Sequence, residues 1–195
     1  CFRHRALDLF FRAVYTETKF QTAKENRAML YVCSALLAAA LLGLDQWLKH
    51  YVTVNIPLGE AQPLLPGVVE LRTVHNYGAA WSSFSGMRWI LVAVTSLIVL
   101  AVAVVLVRRI VRHPLGVVSG ALIISGGVGN IADRVRLGYV VDMFNLEFIH
   151  YPVFNVADCC IVGGAVLAVV YYLWFYEKYD KREEHHGTTD SEGNG

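Results

Sequence analysis

Charge is scarce in this chain. Only 17% of its 195 residues are charged, against 55% hydrophobic. A soluble domain of this length would have trouble hiding so much apolar surface. Net charge is +1, which provides no field to draw nucleic acid. Cysteine is sparse too, at Cys1, Cys33, Cys159 and Cys160. There is no CxxC and no metal-ligand spacing. Neighbouring Cys159 and Cys160 suit neither a shared disulfide nor a structural zinc site, and with Cys33 they read as small packing hydrophobes. Three catalytic signatures are also missing: GxSxG, an HExxH helix, and a serine evidently paired with a histidine. "SGGVG" at 125–129 is followed by no GK[ST], so it is not a phosphate loop. His75 and His150 stand alone and read as interfacial.

What the chain has instead is long apolar runs. Four uncharged stretches, Ala28–Leu44, Trp89–Val107, Leu115–Ala132 and Cys159–Tyr176, each approach the length of ~17–25 residues that a helix needs to cross a bilayer. A cleaved signal peptide would explain one of them at most. They predict an all-α membrane protein, a four-transmembrane-helix bundle with spans at about 28–49, 88–107, 115–132 and 156–176. An arm (1–27) precedes the bundle domain (28–176) and a polar, disordered tail (177–195) follows it.

Orientation follows from Lys and Arg. The arm carries Arg3, Arg5, Arg12, Lys19, Lys24 and Arg27. The short link between spans two and three carries Arg108, Arg109 and Arg112, and the tail carries Lys178, Lys181 and Arg182. The opposite side has only Lys49, Arg72, Arg88, Arg134 and Arg136. Both termini are therefore expected in the cytoplasm. With Cys1 on that side, a processed or truncated start is expected rather than a lipidated terminal cysteine. The outer connection between helices 1 and 2 contains "VVELRTVHN", whose alternation suggests a half-buried strand. A small extracytoplasmic β-containing element is expected there.

The topology gathers the polar residues at one mouth. Asp45 and Lys49 end span one at i,i+4 spacing; Asn130, Asp133 and Arg134 end span three; Asn76, Asp142, Asn155 and Asp158 lie at the same outer level. Polar groups near hydrocarbon usually face one another or a wet cavity. Asp45 and Lys49 suffice as an interfacial ion pair, and Asp133 and Arg134 as braces. Asn130 and Asn155 suffice as helix caps, and Gly126, Gly127 and Gly129 as places of close helix approach. Asp158, in the first turn of an apolar helix where the dipole favours negative charge, is as well explained by capping as by chemistry. Asp142, in "YVVDMF" with no base nearby, has no such explanation. Two carboxylates in one partly desolvated site share a proton, an arrangement that suits hydrolysis of a peptide bond. A proton channel would instead spread its acids through the bilayer depth.

The ordered pieces "DQWLK", "HNYGAAWSSF", "GGVGNIADRVRLGYVVDMFN" and "FNVAD" resemble the lipoprotein signal peptidase (signal peptidase II) family of bacterial membrane aspartyl proteases, over roughly Leu44 to Cys160. The resemblance implies that Asp142 and Asp158 are the catalytic dyad. Asn130, Arg134 and Asn155 would line the site, with Asp133 in the same motif. Asn76 and Gly78 would help hold the peptide, and Asp45 and Lys49 would support the site from the first span. It implies no metal and no cofactor. Its substrates would be diacylglyceryl prolipoproteins, cut just before the lipid-bearing cysteine by a monomer among the lipids of the bacterial cytoplasmic (inner) membrane, with the active site at the extracytoplasmic face. Met143 stands where the family usually has an aromatic, and the arm is longer than is typical. The outer loop, Val54 to Ser85, is expected to fold over substrate as a lid, with Tyr77 and Trp81 as its contacts.

Overall fold

The computed structural model describes the backbone of residues 2–78 and 86–180, with side chains from Glu25 onward. Cys1, Trp81 with the rest of 79–85, and the tail from 181 lie outside the described residues. The order of elements is α1 (Phe2–Asn55), β1 (Ala61–Leu65), β2 (Val69–Asn76), α2 (Arg88–Val107), α3 (Pro114–Arg136), β3 (Val140–Leu146) and α4 (Val156–Trp174). Among the described residues, four helices are long and apolar enough to cross a membrane. Three of the apolar stretches fall inside α1, α2 and α3; Cys159–Tyr176 overruns α4 by two residues, and residues 177–180, expected in the disordered tail, are helical. Helix α1 runs unbroken from the arm into the first span.

Helix α3 is the centre of the bundle, packing against α1, α2 and α4. It can do so because small residues line it. A Cβ on Gly126 would lie 2.2 Å from the Ala157 carbonyl oxygen, and one on Gly164 of α4 would lie 2.9 Å from the Ser119 carbonyl oxygen. Without side chains the two backbones meet, as small residues allow between membrane helices. Hydroxyls fasten the contacts: Ser119 Oγ donates to the Gly164 carbonyl and Ser125 Oγ to the Ala38 carbonyl, each at 2.9 Å. Helix α2 is different. It buries none of its residues, and it touches the bundle by laying Val99 and Leu106 over Gly127 and Gly120 of α3.

The β-containing element expected between helices 1 and 2 is present, as β1 and β2 of a sheet larger than expected. It has three antiparallel strands in the order β1-β2-β3, and the third comes from the connection between α3 and α4, not from the loop after α1. Val141 and Met143 of β3 pack on Val52 and Ile56 at the end of α1. Burying such side chains contributes about 1.5–3 kcal/mol each. The Thr73 hydroxyl lies 2.9 Å from the Ile56 carbonyl oxygen and 3.1 Å from that of Val52, so its one proton is shared between two acceptors at the end of α1. Because side chains alternate along a strand, seating Val141 and Met143 on α1 turns Val140 and Asp142 to the other face. Met143 therefore fills the core behind the site rather than the space beside Asp142.

Candidate active site

Asp142 faces a cavity of about 1260 Å³ between the sheet and the N-terminal ends of α2 and α4, which Asp158, Asn76, Asn130 and Arg134 also line. Its register partner on β2 is Val74, and Asn76 lies two residues farther along the same face. That places the Asn76 Nδ2 3.0 Å from Asp142 Oδ2, as donor. The other carboxylate oxygen accepts from Asn155 Nδ2 at 2.6 Å. Asp142 is 2% exposed. Burial, and next the negative charge of Asp158, push its carboxyl up to about 7 against these two hydrogen bonds.

Asp158 is set by the start of α4. Asn155 is the N-cap: its Oδ1 accepts from the Asp158 backbone N–H at 2.8 Å, and the Asp158 carboxylate accepts from the Asn155 backbone N–H at 3.3 Å. This reciprocal box satisfies two donors of the first turn. Asn155 thus holds Asp142 through its side chain and Asp158 through its main chain. The second Asp158 oxygen accepts from Asn130 Nδ2 at 2.8 Å.

Behind the two acids lies a buried ionic cluster. Lys49 Nζ sits 2.9 Å from both Asp45 Oδ2 and Asp133 Oδ2, and it donates to Asn130 Oδ1 at 3.1 Å. All four residues are 5% exposed or less. Each acid has further work. Asp45 Oδ1 accepts from the Ala157 N–H at the α4 N-terminus at 2.8 Å, and Asp133 Oδ2 accepts from the Val141 N–H at 3.3 Å, beside Asp142 on β3. One cluster therefore ties α1 and α3 to the segments that carry both cavity acids.

Arg134 braces the opposite wall. Its Nη2 donates to the Gly78 carbonyl at 2.8 Å, while the Gly78 N–H donates to Asn76 Oδ1 at 2.9 Å. That bond fixes the Asn76 amide so that its NH2 points at Asp142. The ten residues that the resemblance implies thus lie on the cavity wall or in the hydrogen-bonded network beside it.

Two features were not anticipated. Gln46 Nε2 donates to Asp133 Oδ1 at 3.0 Å and to Asp45 Oδ2 at 3.2 Å, stitching the ionic cluster from α1. Its position in "DQWLK", between two charged residues of one helix end, was the available signal. His150 lines the cavity, whereas His75 stacks on Tyr139 with centroids 3.8 Å apart and is held below the ordinary imidazole range by burial.

Residues 37–174 match the family model described as Signal peptidase (SPase) II. A lipoprotein signal peptidase of Streptococcus thermophilus is 45% identical over 135 residues, 69% of this chain and 88% of that protein. One from Enterococcus faecalis is 38% identical over 144 residues, covering 74% and 89%. Among solved structures, a bacterial membrane enzyme determined by the in meso method at 2.3 Å superposes with a TM-score of 0.69 at 26% identity, over 72% of this chain and 87% of that one. A second such enzyme, at 1.9 Å, gives 0.68, also at 26% identity, over 73% and 94%. The match runs through every helix and strand that builds the cavity, and the chain belongs to the signal peptidase II family.

Proposed function

We propose that this peptidase is of the aspartyl type. It removes signal peptides from prolipoproteins in the bacterial cytoplasmic membrane, cutting just before a cysteine that already carries a diacylglyceryl group. The observation that carries the reading is the double hold of Asn155 on Asp142 and Asp158 at the wall of one cavity.

Two carboxylates so held keep one proton between them near neutrality. The first turn of α4 favours negative charge on Asp158, so Asp158 takes a proton from the attacking water. Asp142, whose carboxyl sits at about 7, holds the shared proton and donates it toward the scissile carbonyl oxygen as negative charge develops there. When the tetrahedral intermediate collapses, the proton gained by Asp158 passes to the leaving amine, and a hydroxyl of the gem-diol returns a proton to Asp142 as the carbonyl re-forms, which restores the singly protonated pair. Asn76, Asn130 and Asn155 keep the carboxylates oriented through the cycle.

The cavity suits a membrane substrate. At one end it is bounded by Leu91 and Thr95 of α2 and Ile161 and Val162 of α4, an apolar entrance for a signal helix and acyl chains. The Lys and Arg distribution orients the bundle with both termini in the cytoplasm, so the cavity opens at the extracytoplasmic face. Asp142→Asn and Asp158→Asn, each assayed on a lipidated precursor in detergent with chelator present, test the reading. Cleavage is expected to fall by about 10²–10⁴-fold in both, while chelator leaves the wild-type rate unchanged. Full activity in either variant overturns the dyad.

A further inference from the structure

The cavity extends well past the two acids, where a polar patch on β2 lies beside Leu146, Phe148 and Tyr151. Side chains at every second position of β2 (Glu70, Arg72, Val74 and Asn76) line the cavity, the row continuing across a shift in the pairing with β3 between Leu71 and Val74. Asn76 and Val74 sit beside Asp142. Arg72 and Glu70 continue the row away from it and away from the apolar entrance between α2 and α4. There Glu70 Oε1 gathers Arg72 Nη2 at 2.8 Å, Arg72 Nε at 3.1 Å and Asn145 Nδ2 at 2.8 Å. Asn145 is the register partner of Glu70 on β3. The Arg72 side chain remains 41% exposed, the Glu70 side chain 15%. A pair of opposite charges, each with a face toward the cavity, offers a donor and an acceptor side by side. Those are the complements of a peptide carbonyl and a peptide N–H.

We infer that Arg72 and Glu70 form a subsite for the main chain of the precursor's mature segment, just beyond the cleaved bond. The inference rests on the peptidase reading above. Position sets the direction: with the signal helix and lipid entering between α2 and α4, the soluble part of the precursor leaves over the sheet, where Glu70, Arg72 and Asn145 bring charge and hydrogen-bonding groups to the wall. Spacing sets the position. With about 3.4 Å per strand residue, Arg72 and Glu70 lie roughly 7 and 14 Å along the strand from the Val74–Asp142 pair. An extended peptide covers that in about two to four residues. The subsite is satisfied by backbone groups, so it reads the presence of chain rather than a particular side chain.

The test compares two synthetic lipidated precursors, one ending at the second residue of the mature segment and one continuing for six. Wild-type enzyme is expected to cleave the longer with a lower KM, by roughly fivefold, the scale of one or two net hydrogen bonds. Arg72→Ala and Glu70→Gln are expected to remove that advantage and leave cleavage of the short precursor unchanged, which also shows that the variants are folded. Wild-type cleavage of both precursors with equal KM overturns the subsite alone. So do variants that weaken both precursors equally. Failure of wild type to cleave either overturns the peptidase reading and the subsite with it.

Discussion

Lys49 donates to the side-chain oxygen of Asn130 at 3.1 Å, and this contact decides which way that amide points. With Oδ1 held by an ammonium, Nδ2 must face Asp158, where it donates at 2.8 Å. A cation on α1 thereby orients a donor on α3 toward an acid on α4.

Replacing Lys49 by Met is expected to leave Asp45 and Asp133 buried without a counter-charge. Losing one partner of a buried ionic cluster costs about 3–5 kcal/mol, so the variant should unfold at markedly lower temperature in detergent. Adding Asp45→Asn should recover part of the loss, because it removes one stranded charge. Thermal melts of the single and double variants, compared as a cycle, measure this.

Cleavage should depend on pH as a bell, with the alkaline limb near pH 7, where Asp142 gives up its proton. The Asn155 amide donates to that carboxylate and favours its ionised form. In Asn155→Ala the limb should therefore move to higher pH, beside a lower maximal rate. The same variant loses the α4 cap, worth about 1 kcal/mol. Rate profiles and melts of the two proteins separate the effects.

Stability should carry the same titration. The Asp142 carboxyl is raised in the folded protein from 3.8 to about 7, so folding favours its protonated form. Its contribution is complete below pH 3.8 and is lost as pH rises through about 7. Wild type should lose stability relative to Asp142→Asn across that window. Paired melts between pH 4 and pH 8 are the measurement; a constant difference would contradict it.

Two glycines should behave oppositely. Gly126→Ala places a methyl 2.2 Å from the Ala157 carbonyl oxygen, one residue before Asp158, and must push α4 off α3. A cost of about 1–3 kcal/mol and weaker cleavage are expected. Gly163→Ala on α4 meets nothing within 4 Å and should melt like wild type. Expression, melting and cleavage of the pair check this.

The helices were legible because each apolar run is long and uncharged, and the polar residues at one end of the bundle pointed to where Asp142 and Asp158 meet a cavity. The α4 cap was legible as well: Asn155 three residues before an acid, at the head of an apolar run. Strand β3 was not. Val140 and Val141 are both buried, one against the cavity and one against α1, so the period-two signal is blurred where Asp142 sits. The role of Lys49 was hidden for a different reason. Spacing in one helix reveals Asp45 as a partner, but Asp133 and Asn130 come from another helix, and packing alone brings them together.

Strand β3 and helix α4 each contribute one of the two acids, and they belong to different layers of the molecule. The separation of the carboxylates is therefore a separation between a surface sheet and a membrane bundle. A compound that engages both acids acts as a staple across the layers, and its binding energy should register as resistance to heat. Melting temperature then offers a screen for inhibitors that needs no lipidated substrate.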